Sequence, residues 1–170
     1  MKTCFLGDKQ QHWFSSLFQK NVYFCWNNHT DLSKRNTLRK WTNKTILIIW
    51  RKTADSDWTA VEVLFEKEQY LQCLFFAHLV LEKLLKAHWV KDNVTNSPPK
   101  VHNLEFLKQQ TELELSLEEE FILDRMGLFQ MQTRYPDYQF KIKKLCTHLY
   151  TKTLLDSIEQ LRNSLLNKLP

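Results

Sequence analysis

Two glycines and four prolines in 170 residues leave this chain few places to turn sharply. A β-sandwich or barrel needs a turn about every ten residues, so an all-β fold is disfavoured. Gly7 and Gly127 cannot build G-x-G-x-x-G, and neither precedes a Lys-Ser/Thr pair. A Gly-rich phosphate loop is therefore missing, which argues against Rossmann and P-loop enzymes. The apolar run Ile46 to Trp50 falls far short of the roughly 20 residues that span a bilayer. Asp8, Lys9, Gln10, Gln11 and His12 interrupt any leader-like stretch, so the reading is a cytoplasmic protein with no membrane contact.

Cys4, Cys25, Cys73 and Cys146 are scattered, with no pair at C-x2-C spacing. A zinc knuckle is not expected, and in a reducing compartment free buried thiols are. No metal or cofactor is anticipated.

Charge divides the chain. Residues 1–50 hold 8 Lys/Arg against 2 Asp/Glu, a net +6, whereas residues 51–170 hold 16 against 17, a net −1. The first fifty residues also carry Trp13, Trp26, Trp41 and Trp50, and neither Ala nor Glu. They show no sustained period. Three readings stay open for residues 1–45. They are an aromatic-basic accessory suited to single-stranded nucleic acid, a poorly ordered tail, or translation from a start codon assigned too early. A second region, 46–170, reads as the folded domain.

From Trp50 onward the pattern is that of amphipathic helices. The spacing predicts helices over 53–68, with Ala54, Trp58, Val61 and Phe65 on one stripe, and over 70–91, with Leu71, Leu74, Phe75, Leu81, Leu85 and Trp89. Ser97-Pro98-Pro99 lies in the break that follows. A short helix at 104–112 precedes Ser116-Leu117-Glu118-Glu119, a capping box that opens a helix to 132 carrying Leu117, Phe121, Leu123, Leu128 and Phe129. Arg134-Tyr135-Pro136-Asp137 ends it, because Pro136 lacks an amide hydrogen. The last helix, 141–168, has Leu154, Ile158, Leu161, Leu165 and Leu169 on its buried stripe. The expected fold is an all-α, up-and-down antiparallel bundle of about five helices, with an irregular N-terminal extension.

Several segments stand out: Ala54-Asp55-Ser56-Asp57-Trp58, Glu82-Lys83-Leu84-Leu85-Lys86-Ala87, Pro98-Pro99-Lys100-Val101-His102-Asn103-Leu104 and Arg134-Tyr135-Pro136-Asp137. In that order and spacing, over about 46–170, they resemble the HEPN family, the "higher eukaryotes and prokaryotes nucleotide-binding" domain, of the small bacterial type. The resemblance implies a helical bundle, usually a homodimer. Many members are ribonucleases, others bind nucleotide or RNA, and bacterial members often accompany a minimal nucleotidyltransferase as toxin and antitoxin. The nuclease members carry Arg, four to six residues, then His, with Arg stabilising phosphate charge and His moving a proton.

This sequence departs from that pattern. No His follows Arg125, Arg134 or Arg162 at the required spacing, and the nearest imitation is Lys143 with His148. A Lys lacks the planar fork of Arg. The expectation is therefore a non-catalytic module binding nucleotide, RNA or a nucleotidyltransferase partner, with a divergent ribonuclease toxin as the alternative.

Candidate ligand residues are Arg134, Tyr135, Asp137, His102, Lys83 and Lys86. Arg134 could meet a phosphate bidentately or pair with Asp137 or Glu82. Lys86 could reach a phosphate, though a solvated face is the preferred reading. His102 could cap the following helix or contact a ligand. Glu82 would need a partner if buried, with Arg134 or His102 in view. His78 and His88 read as packing residues, and Glu118-Glu119-Glu120 as a solvated acidic first turn. Tyr135 and Tyr138 could stack on a base, cover the bundle end, or accept a nucleotide from a partner enzyme.

Overall fold

The computed structural model describes residues 42–132 and 142–170. Among the described residues every regular element is helical. They are α1 (Asn43–Glu66), α2 (Tyr70–Asp92), α3 (Leu104–Gln109), α4 (Leu117–Gln132) and α5 (His148–Asn167). The all-α bundle expected from the sequence is what forms.

α1 begins ten residues before the predicted start. Thr42, in extended geometry, accepts the Thr45 amide on its side chain and opens the helix there. Leu47 is buried, with Ile46 and Trp50 packed beside it, so the apolar run read as a boundary is the first two turns of α1. A tight turn returns the chain. Lys67 donates to Val63, Gln69 donates to Leu64, and Glu68 takes φ 57° between them.

α2 is central and packs on all four other helices. Leu71, Leu74, Leu81 and Leu85 are buried as predicted, and so are Cys73, Ala77, Val80, Leu84, Ala87 and Val90. Those positions go right round the helix. A helix that is apolar on every side is a core helix rather than an amphipathic surface one.

At α3 the cap is Asn103, whose Oδ1 accepts the Phe106 amide at 2.8 Å. The short helix stops at Gln109, three residues early. The predicted capping box is present: Ser116 N donates to Glu119 Oε2 at 2.8 Å, and Glu119 N donates to Ser116 Oγ at 3.3 Å.

Two expectations are corrected. On α4 only Leu123 and Phe129 of the predicted apolar set face the core, together with Met126. Leu117 (86% exposed), Phe121 (62%) and Leu128 (55%) lie on the opposite face, which their i, i+4, i+11 spacing places together. The final helix is also not continuous. Residues 142–145 are helical, the chain then leaves the helix, and Thr147 caps α5 by accepting the Tyr150 amide. All five residues of the predicted α5 stripe are buried.

Cys73 and Cys146 are buried free thiols, while Cys4 and Cys25 lie outside the described residues. Among the described residues no helix is long and apolar enough to cross a membrane.

Candidate functional site

α2 carries His78, Glu82 and Lys86 at successive i+4 steps, so the three share one face. All three are buried, at 0%, 5% and 6% exposure. An ionised carboxylate in such a place must be matched by donors. Lys86 Nζ donates to Glu82 Oε1 at 2.7 Å, and His102 Nδ1 donates to Glu82 Oε2 at 3.0 Å. His78 Nε2 stands 3.7 Å from the same Oε2. Burial alone would push the Glu82 carboxyl up. The donors turned to it from His78, Lys86 and His102, with the charge of Lys86, outweigh that and hold it at about 2. The Lys86 ammonium also lies 5.4 Å from the ring centroid of Trp50 on α1.

Two histidine tautomers follow from their partners. His78 Nδ1 lies 3.1 Å from the Met126 carbonyl of α4, which fixes a proton on Nδ1. His88 Nε2 donates to the Leu165 carbonyl at 2.9 Å, leaving buried Nδ1 with no hydrogen-bond partner among the described residues. Burial lowers the His88 pKa, and its bond to Leu165 only partly opposes that.

His102 is where this network meets solvent. Its side chain is 48% exposed, and donation from Nδ1 to Glu82 leaves the lone pair on Nε2. The ring lines a groove of about 520 Å³ with Asn103, Glu105, Asp124, Gly127 and Leu128. A Cβ at Gly127 would meet nothing within 4 Å, so the backbone there borders open space. A carboxylate–imidazole pair with a free Nε2 can accept a hydrogen bond from a ligand, or take a proton from one.

The candidate ligand residues are dispersed. Lys86 is neither on a solvated face nor open to a phosphate, because Glu82 and Trp50 enclose it. Lys83 is half-buried and pairs with Asp57, fastening α2 to α1. His102 does not cap α3, because Asn103 does; it provides the partner that a buried Glu82 requires.

Lys143 is exposed, and the helix break at residues 146–147 separates it from His148. The His148 ring packs 5.1 Å from Phe65 and 6.0 Å from Tyr70. Arg134, Tyr135, Asp137 and Tyr138 lie outside the described residues. Sequence reasoning missed Trp50, Asp57 and the Met126 carbonyl. The i, i+4 run of His78, Glu82 and Lys86 was the signal that a buried polar face needed partners.

Comparison with curated proteins and comparison with solved structures each gave no match. A family comparison did match. The model of the HEPN domain fits residues 48–169, from the second turn of α1 to the residue before the last, and the chain belongs to the HEPN domain family.

Proposed function

We propose that this chain is a non-catalytic HEPN module that binds nucleotide or RNA through the groove at His102. The observation that carries this reading is the His102–Glu82 pair. Buried Glu82 orients a half-exposed imidazole so that its Nε2 is an acceptor. Asp124 in the same groove is a second acceptor. Two acceptors suit the donor edge of a nucleobase. The cations that would have held a phosphate, Lys83 and Lys86, are engaged elsewhere. Arg134, with its sequence neighbours Tyr135 and Asp137, stays the proposed phosphate contact. The module acts as a cytoplasmic homodimer, alongside a minimal nucleotidyltransferase partner.

A second reading rests on the same pair. A carboxylate that fixes an imidazole tautomer is also how a general base is prepared, so a divergent ribonuclease using His102 and Arg134 is the competing mechanism.

One experiment separates them. Purified protein is incubated with mixed cellular RNA without metal, beside Arg134→Ala and His102→Ala, and binding is measured on the same samples. Binding without cleavage, weakened several-fold by His102→Ala, is expected (one neutral hydrogen bond is worth about 0.5–1.5 kcal/mol). Cleavage lost in either variant would overturn the non-catalytic reading.

A further inference from the structure

Six of the ten large apolar side chains left in solvent among the described residues lie on α3, on α4 or beside the start of α5, the others being Ile48, Ile49, Val63 and Val94. Leu117, Phe121 and Leu128 lie on α4, Phe106 on α3, and Leu145 and Leu149 beside the start of α5. Exposed apolar side chains that adjoin one another mark a place where another molecule sits.

Phe121 stands where two grooves meet. One, of about 260 Å³, runs between α4 and α5 and is lined by Phe121, Arg125, Tyr150 and Thr153. The other, of about 380 Å³, runs between α3 and α4 and is lined by Glu105, Lys108, Glu120, Phe121 and Asp124. Together they make a track across three helices with an aromatic ring at its middle. Arg125 is held 5.1 Å from the Tyr150 ring and 6.0 Å from the Phe121 ring, so the middle of the track is aromatic and guanidinium in character. Leucine, aromatic rings and arginine together are the composition of a protein-binding centre.

The charge around the track selects the partner. Residues 104–132, on the α3–α4 side, carry seven carboxylates against two cations, a net −5, whereas residues 142–170 carry five cations against two carboxylates, a net +3. Lys108 is one of the two cations on the α3–α4 side, and Glu120 already pairs with it at 2.6 Å. The α3–α4 side of the track is therefore its acidic side, where a cationic segment would be attracted.

We infer that the α3–α4–α5 face centred on Phe121 docks a basic polypeptide segment of a partner protein, with apolar anchors seated beside Phe121 and Leu117 and lysines or arginines meeting Glu105, Glu120 and Asp124. This surface adjoins the His102 groove and shares Glu105 and Asp124 with it, but its centre, Phe121, does not line that groove.

The test uses the full chain and three labelled peptides of one length, read by fluorescence anisotropy. The first is amphipathic leucine–lysine, the second has glutamate for lysine, and the third has serine for leucine. Only the first is expected to bind well. Phe121→Ala, and separately Glu105→Lys with Glu120→Lys, should each weaken it about tenfold or more. Glu62→Lys with Glu66→Lys, the same charge change on exposed α1 positions, should leave it within about twofold, as should His102→Ala.

Equal loss with the α1 pair would show general charge attraction and overturn the site. So would failure of the leucine–lysine peptide to bind. Two further results would reassign the face: a single-stranded RNA that needs Phe121, or self-association of the chain abolished by Phe121→Ala. Loss of nucleotide or RNA binding in His102→Ala with peptide binding intact leaves this inference standing, so each proposal fails separately.

Discussion

Lys86 donates to Glu82 one turn earlier on α2, at 2.7 Å, with both side chains almost fully buried. The pair is costly to break and cheap to replace. Glu82→Ala leaves an ammonium without its carboxylate in the core, a loss of about 3–5 kcal/mol. Glu82→Leu with Lys86→Met removes both charges and should restore most of that stability. Urea unfolding of the single and double variants checks this. A double variant as unstable as Glu82→Ala would mean that the pair itself stabilises the bundle.

Acid should weaken the fold in two windows. Burial lowers the His88 pKa below its ordinary 6.5, so the unfolded chain takes up a proton there that the folded chain refuses. Stability from His88 is whole above pH 6.5 and declines as the pH falls below it. Glu82 titrates at about 2 when folded and at an ordinary 4.5 when unfolded. Its share is whole above pH 4.5 and is lost as the pH falls towards 2. His88→Gln keeps a donor for the Leu165 carbonyl and should flatten the upper window alone. Unfolding free energies between pH 8 and pH 3 test this, and identical upper slopes in the two proteins would contradict it.

Ser116 and Glu119 each satisfy the other's amide at the start of α4. Ser116→Ala should cost about 1 kcal/mol, and Ser116→Asp should keep most of it. Thermal unfolding of the two variants distinguishes lost capping from general intolerance at this position.

The buried thiols should be inert in the folded protein. Burial pushes the Cys73 thiol up to about 12, with Cys146 adding to it, and the Cys146 thiol up to about 11. Neither forms appreciable thiolate at pH 8, and the thiolate is what alkylates. Iodoacetamide followed by peptide mass mapping should leave both unmodified until denaturant is added. Native labelling of Cys73 would show that α2 opens locally.

Much of the bundle was legible because its signals are local. The capping box at Ser116 depends on two side chains three residues apart, and the α5 stripe depends on one helix's own period. The α4 face failed for the opposite reason. Leu117 and Phe121 are apolar, but only the position of α2 decides which side of α4 is covered. Lys86 failed in the same way. A lysine near an apolar stripe reads as solvated until Trp50 and Glu82 are seen around it. His102 was split between capping and ligand contact, yet it was also one of two partners in view for a buried Glu82, and that pair is the one that forms.

α2 presents apolar side chains in every direction, and a cylinder that is oily all round has no preferred rotation about its own axis. Besides the Lys83–Asp57 pair to α1, three buried polar attachments supply one: His78 to the Met126 carbonyl, Glu82 to His102, and His88 to the Leu165 carbonyl. These three bind α2 to α4, to the loop before α3, and to α5. The angle of α2 is therefore set by a few directional bonds while oil supplies the cohesion. The orientation of His102 toward its groove is inherited from that angle, so a change deep in the core at His78 or His88 can re-aim a residue on the surface.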